Sequence, residues 1–391
     1  MPDLFHPIKI AIDGNEANCL NRVGSNVYAW EMLRALEKIT RQSRKNFHLT
    51  ILLTQPPQID LPKERLGFRY QIIKPAQMTT QIALPIYLYK HRKEFDFFYT
   101  PGHYAPRFCP LPYISSVMDL AFLIYPQQFR LADLFQLRSW TKYSVKNAAK
   151  VATISKFSRQ EINKFYKRDL DDIILAYPAF SGKIIDLPIK SQKQILAQLK
   201  INQPFFLYLG TLQPRKNLLR LIEAFEIFAR ELEKTKDAPK VCLVLAGKSG
   251  WLTQEIENKA KNSAYAQRII LTGFVSNQQK AALLHKALAT FNLGLYEGFG
   301  IPALESLAYK TIPVIANNSS LPEVVGNFGF KVDPEDTDKI AATMMRIAKL
   351  SQKQKEKFLQ DSETQIHKFN YEKSANQILT AFLRLYKRQH E

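Results

Sequence analysis

The sequence predicts an α/β protein built from two doubly wound, parallel-sheet domains. Three observations carry this. Short apolar runs alternate with stretches of helical spacing along both halves, the pattern of strands crossed over by helices. A length of 391 residues suits two domains of ordinary size. Nine of only fourteen glycines fall between Gly210 and Gly329, several of them where predicted strands end.

In the first half, Ile8–Ile12 and Leu49–Leu53 are apolar runs beside turn signals or polar helical stretches, and Val27–Leu36 has helical spacing. Tyr113–Val117 and Val151–Ile154 read as further buried strands. The second half repeats the pattern more clearly. Strands are expected at Phe205–Leu209, Val241–Ala246, Ile269–Thr272, Ala289–Leu295 and Pro313–Ala316, and helices at Leu218–Glu231, Asn277–Ala287 and Ile301–Tyr309. Pro178, Gly182, Pro188 and a Lys/Gln-rich stretch break the pattern before Lys200. The expected domains are residues 1–185 and 186–371, followed by an amphipathic helix over Tyr371–Tyr386.

Composition narrows the class. With 46% apolar and 23% charged residues, wholesale disorder is excluded. No window reaches the roughly 18 consecutive apolar residues of a membrane span, and the first residues lack a charged-then-apolar signal layout. Cys19, Cys109 and Cys242 are odd in number and far apart, which suits a reducing cytosol better than a disulfide framework or a zinc site. Net charge is +20 and is shared evenly between the halves, pointing to an anionic partner. The densest basic stretch, Arg130 to Arg168, holds ten basic residues against Asp133 and Glu161. A solvated helix face and an anionic membrane-docking patch are its two readings.

Two loops carry chemistry. Gly210-Thr211-Leu-Gln-Pro-Arg215-Lys216-Asn217 joins a predicted strand to a predicted helix. Its two cations stand just before a helix start, a natural seat for a diphosphate. Glu297-Gly-Phe299-Gly300-Ile301-Pro-Ala-Leu-Glu305 also leads from strand into helix, with Pro302 suited to the first turn. Glu305 lies about one turn into that helix, so both carboxylates can face one cleft. Beside a phosphate seat, a carboxylate is repulsive unless it accepts from hydroxyls, as sugar and ribose offer.

These segments make the chain similar to the family 4 glycosyltransferases. YLGTLQPRKNLLRLIEAF, LVLAGKSGW, ILTGFVS, LYEGFGIPALESLA and SSLPEVVG stand in that family's order over residues 205–335, and Glu297 and Glu305 match its E-x7-E spacing. The mannosyltransferase-like members are the nearest in appearance. The resemblance implies the GT-B fold, two Rossmann-like domains facing a cleft, with the last helix, 372–391, crossing back onto the first domain. It implies a retaining hexosyltransferase using GDP-mannose or, as second choice, UDP-glucose, with no metal and no other cofactor, in cell-surface polysaccharide synthesis. Arg215 and Lys216 would neutralise the diphosphate, Glu297 would hold the donor sugar and Glu305 the ribose diol. Gly210, Thr211, Gly247, Gly273, Val275, Phe299, Gly300 and Ile301 would line the donor.

The first half matches more loosely. Tyr28–Leu36 resembles the helix after the family's acceptor loop, but Gly24-Ser25-Asn26 keeps only one of that loop's glycines. Asp119–Pro126 resembles the segment following a His-Asp pair, with Met118 where the family has histidine; His103 is the substitute imidazole. Gly24, His103, Met118 and Asp119 are therefore expected on the acceptor or sugar side. In the second half, Leu293-Gly294 replaces the usual Pro-Ser, a change expected to alter loop shape more than chemistry. The expected partners are a nucleotide sugar and a glycan or lipid-linked acceptor at the cytoplasmic face of a membrane, and not nucleic acid, since no nucleic-acid-binding signature is present. The alternatives are a degenerate binding partner, a GT-B phosphorylase or epimerase, and a basic nucleic-acid-binding protein.

Overall fold

A computed structural model describes residues 6–42, 47–102, 104–236, 238–250 and 253–390. The chain divides into two units, residues 1–178 with 369–391, and residues 179–368. This division falls slightly earlier than the sequence pattern suggests. Ala179–Asp186 packs with the second unit because the Tyr309 hydroxyl accepts from the Ile185 amide at 3.2 Å, and the Tyr309 ring meets Phe180 edge-on.

In the first unit, seven described strands form one parallel sheet: β1 (Ile8–Asp13), β2 (Phe47–Leu53), β3 (Phe68–Ile72), β4 (Phe97–Thr100), β5 (Tyr113–Val117), β6 (Lys150–Thr153) and β7 (Ile173–Leu175), in the order β3-β2-β1-β4-β5-β6-β7. The central strands are largely buried on both faces, as a sheet covered twice by helices requires. The helix Ser25–Gln42 covers one face together with the terminal helix Tyr371–His390. Lys38 pairs with Glu372 at 2.5 Å, Ser374 Oγ donates to the Tyr177 carbonyl at 2.7 Å, and Phe382 packs on Phe97.

The second unit has six described strands: β8 (Phe205–Leu209), β9 (Cys242–Ala246), β10 (Ile269–Gly273), β11 (Ala289–Asn292), β12 (Pro313–Ala316) and β13 (Phe330–Val332), parallel and ordered β10-β9-β8-β11-β12-β13. The helix Leu218–Glu233 buries Leu218, Leu221, Ile222, Phe225, Phe228 and Leu232, one stripe at helical spacing. The helix Asn277–Lys286 begins with a full capping box, Ser276 to Gln279 and back. Strand order reverses between β8 and β11, so the loops leaving these two strands diverge and open a crevice at the carboxyl edge.

The expected strand Ala289–Leu295 ends at Asn292. Beyond it the chain peels away, and the Leu295 amide donates to the Arg215 carbonyl at 3.0 Å instead of extending the sheet. Strands β3, β4, β7 and β13 were not expected from the sequence pattern. No helix among the described residues is long and apolar enough to cross a membrane.

Candidate functional site at the carboxyl edge of the second sheet

Three loops leave β8, β9 and β10 side by side. The Gly210 amide donates to the Ala246 carbonyl at 3.0 Å, the Gly247 amide to Gly273 at 2.9 Å, and the Leu212 amide to Lys248 at 2.9 Å. Gly247 has no substitute here: an added Cβ would lie 1.8 Å from the Gly210 carbonyl oxygen. Below this turn, the Tyr208 hydroxyl donates to the Thr211 carbonyl at 2.9 Å. Burial, reinforced by the negative charge of Glu297, pushes the Tyr208 phenol well above its ordinary pKa, so it stays a neutral donor. The loop then makes a 3₁₀ turn over Pro214–Lys216 and enters the helix Leu218–Glu233 through Asn217, whose side chain donates to the Pro334 carbonyl at 2.6 Å.

The second loop answers the first with opposite charge. Lys216 Nζ donates to Glu297 Oε1 at 2.5 Å. Arg215 Nη1 donates to the Tyr296 carbonyl at 2.5 Å and lies 3.8 Å from Glu297 Oε2. Ser320 Oγ, fully buried, lies 2.8 Å from the carbonyls of both Glu297 and Phe299, and Asn318 donates to the Leu295 carbonyl at 3.2 Å. Gly300, at φ 104°, turns the chain into the helix Ile301–Ala308; a Cβ there would meet Leu321 Cδ2 at 2.4 Å. Pro302 stands in the first turn, as expected.

Glu305 follows on that helix, but its partner is different. Lys280 Nζ donates to Glu305 Oε1 at 2.5 Å, while Glu305 Oε2 has no hydrogen-bond partner among the described residues. Glu297 and Glu305 are each only 14% exposed at the side chain, so both carboxylates are held by a single close lysine in a largely desolvated setting. Gly273, at φ 69°, ends β10 with open space where a side chain would be; Phe274 beside it is exposed with Lys248 Nζ 4.9 Å from its ring centre, and Val275 packs into the core. The candidates read from the sequence, Gly210, Thr211, Arg215, Lys216, Gly247, Gly273, Val275, Glu297, Phe299, Gly300 and Ile301, lie at or just beyond strand ends along this edge, with Glu305 inside the helix Ile301–Ala308. Lys280, Tyr208 and Ser320, which touch these segments, were not singled out in the sequence. Lys280 sits four residues into a polar NQQK helix start, where a lysine reads as solvated.

The first-unit candidates are less concentrated. Gly24 has φ 54° and precedes the helix Ser25–Gln42. Ser25 Oγ and Asn26 Nδ2 donate to Glu16 Oε2 at 3.2 and 2.5 Å, so Glu16, unmarked in the sequence, is the carboxylate that this loop presents. Met118 is buried, and its carbonyl accepts from Ser158 Oγ at 3.1 Å. Asp119 Oδ1 accepts from the Ala121 amide at 3.0 Å. His103 lies outside the described residues. No group of three or more His, Cys, Asp or Glu side chains that could hold a metal occurs among the described residues.

The chain is similar in sequence and in fold to known proteins. Residues 191–365 match the model of the family "Glycosyl transferases group 1". The chain is 24% identical over 334 residues to the O-antigen chain mannosyltransferase B of Escherichia coli, covering 83% of this chain and 86% of that one. It is 40% identical over 76 residues, 19% of this chain and 18% of the relative, to the MMP alpha-(1->4)-mannosyltransferase of Mycolicibacterium hassiacum. In fold it is similar to the sucrose-phosphate synthase of Thermosynechococcus elongatus, with a TM-score of 0.71 at 17% identity over 97% of this chain and 100% of that one. Anabaena HepE, solved with UDP and glucose, has a TM-score of 0.69 at 15% identity over 96% and 99%. The chain is thus a glycosyltransferase of the GT-B fold, similar to mannosyltransferases.

Proposed function

We propose that this enzyme is a retaining hexosyltransferase of the family 4 type. It moves mannose, or as second choice glucose, from a nucleotide sugar to a glycan or lipid-linked acceptor in cell-surface polysaccharide synthesis. One observation carries the reading: Arg215 and Lys216 converge on Glu297 between the loops of β8 and β11, where the strand order reverses. Arg215 and Lys216 bind the donor diphosphate and stabilise its charge as the bond from sugar C1 to phosphate oxygen breaks. The electron pair leaves with the phosphate. The acceptor hydroxyl attacks C1 from the same face and gives its proton to the departing phosphate oxygen. Glu305 accepts from the ribose diol through Oε2, with Lys280 fixing Oε1. Glu297, released from Lys216, accepts from donor-sugar hydroxyls. Gly210, Thr211, Gly247, Phe299, Gly300 and Ile301 line the donor, and Gly273 to Val275 lie near its base. Gly24, Met118 and Asp119 serve the acceptor or sugar side.

Mannose is favoured because the relatives are named mannosyltransferases, and glucose follows from HepE. Incubating the protein with GDP-mannose or UDP-glucose and an acceptor mixture, then reading the anomeric protons of the product by NMR, tests this. An α-linked product from the α-linked donor supports it, and a β-linked product refutes retention. Binding of a nucleotide sugar without turnover favours the degenerate-partner reading, for which the buried Met118 at the usual histidine position is the specific observation.

We further propose a peripheral location at the cytoplasmic face of a membrane. The helix Leu131–Asn147 exposes Leu131 and Phe135 one turn apart, on the same helix as exposed Arg138, Lys142 and Lys146 and next to Arg130. Each base near an anionic surface contributes about 1 kcal/mol. Reversing Arg130, Arg138, Lys142 and Lys146 to glutamate must abolish cosedimentation with phosphatidylserine vesicles; unchanged binding rejects the patch.

A further inference from the structure

Gly294 lies just after β11, buried, with a φ outside the left-handed region that favours glycine. A Cβ built there meets Glu297 Oε1 at 2.6 Å and Glu297 Cδ and Cγ at 3.2 Å each; its three nearest atoms all belong to that one side chain. The Glu297 carboxylate thus lies over the space that any side chain at 294 would fill. In that pose it reaches Lys216 Nζ at 2.5 Å and stays within 3.8 Å of Arg215. The two cations assigned to the donor diphosphate are therefore already neutralised from inside the protein, with little solvent at the pair.

We propose that Gly294 is a positioning residue. By lacking a side chain it lets Glu297 fold back onto Lys216 and Arg215, so that an incoming diphosphate must exchange places with the carboxylate. The exchange frees Glu297 for the sugar only when Lys216 donates to phosphate oxygens in its place, which couples diphosphate seating to sugar capture. A bare anion, with no sugar to re-engage Glu297, displaces the carboxylate without that return and is held weakly. The site is in this way biased toward the intact sugar nucleotide and against free phosphates and the nucleotide product. This rests on the assignment of Arg215 and Lys216 to the donor diphosphate.

The test is calorimetric titration of the full chain with inorganic pyrophosphate, using the parent, Gly294→Ser, Glu297→Ala, the double variant and Lys216→Ala. A serine at 294 expels the carboxylate from its resting place. Gly294→Ser and Glu297→Ala should each bind pyrophosphate about tenfold more tightly than the parent, the scale of one charge-assisted hydrogen bond no longer in competition. The double variant should match Glu297→Ala, because no carboxylate is left to displace. A loosened fold would weaken binding and would not give this non-additivity. If Gly294→Ser fails to fold, Glu297→Ala must restore folding in the double variant, and lack of rescue overturns the proposal. So does parent-like or weaker pyrophosphate binding by a folded Gly294→Ser while Lys216→Ala abolishes it. Undiminished binding by Lys216→Ala instead overturns the diphosphate assignment itself.

Discussion

Substituting alanine for Gly247 puts one methyl group where two loop backbones touch. The new Cβ would stand 1.8 Å from the Gly210 carbonyl oxygen and 2.6 Å from its carbonyl carbon. Backbone cannot swing aside as a side-chain tip can, so the loops after β8 and β9 must part by roughly 1 Å or more. Three hydrogen bonds hold them: Gly210 to Ala246 at 3.0 Å, Leu212 to Lys248 at 2.9 Å and Gly250 to Leu212 at 2.9 Å. Losing two of these, at about 1 kcal/mol each, together with residual strain of about 1 kcal/mol gives a destabilisation of about 3 kcal/mol. For a unit of this size, that lowers Tm by about 6–12 °C. Differential scanning calorimetry reads the shift, and pyrophosphate titration reads the displaced Gly210 loop. A Gly247→Ala protein melting within about 2 °C of the parent and binding pyrophosphate equally would refute the reasoning, because the packing at this site would then not be backbone on backbone.

Other consequences follow from the same geometry. Lys280→Met leaves Glu305 without its cation and should weaken nucleotide affinity about tenfold by calorimetry, whereas unchanged affinity would detach this pair from the ligand. Tyr208→Phe removes the donor to the Thr211 carbonyl and should cost about 1–2 kcal/mol in urea unfolding; a neutral result would mean that water serves the carbonyl as well. Burial pushes the Cys109 thiol up to about 12, so at pH 8 only about one in ten thousand such thiols is ionised. Its alkylation by iodoacetamide, followed by mass spectrometry, should be far slower than that of the unfolded chain and should rise about tenfold per pH unit below 12. Labelling at pH 8 as fast as a free thiol would contradict this.

Most central strands were legible because they are buried on both faces; the exception is β4, buried throughout but only four residues long. Phe205–Leu209 has no polar side chain except the tip of Tyr208, and such a run has few other interpretations in a chain of alternating helices. The edges were not. In β3, Arg69 faces solvent beside Phe68, and β7 and β13 are three residues long, too short for any periodicity. The charged loops were legible as motifs, since Arg215, Lys216, Glu297 and Glu305 stand at strand ends where ligands bind. Which charge meets which was not. Lys280 reaches Glu305 from 25 residues away through the packing of two helices. The change from Pro-Ser to Leu293-Gly294 looked like a matter of loop shape, yet Gly294 leaves the space over which the Glu297 carboxylate lies.

Arg215 and Lys216 are assigned to the diphosphate of a nucleotide-sugar donor. A thermal-shift panel of GDP, UDP, ADP, dTDP and CMP, run on the parent and on Lys216→Ala, tests this assignment most directly. A ligand at one hundred times its dissociation constant adds about 2.7 kcal/mol to the folded state. One nucleoside diphosphate, GDP first and UDP second, should stabilise the parent and not the variant. Equal stabilisation of both proteins, or none of either by any nucleotide, would contradict the assignment.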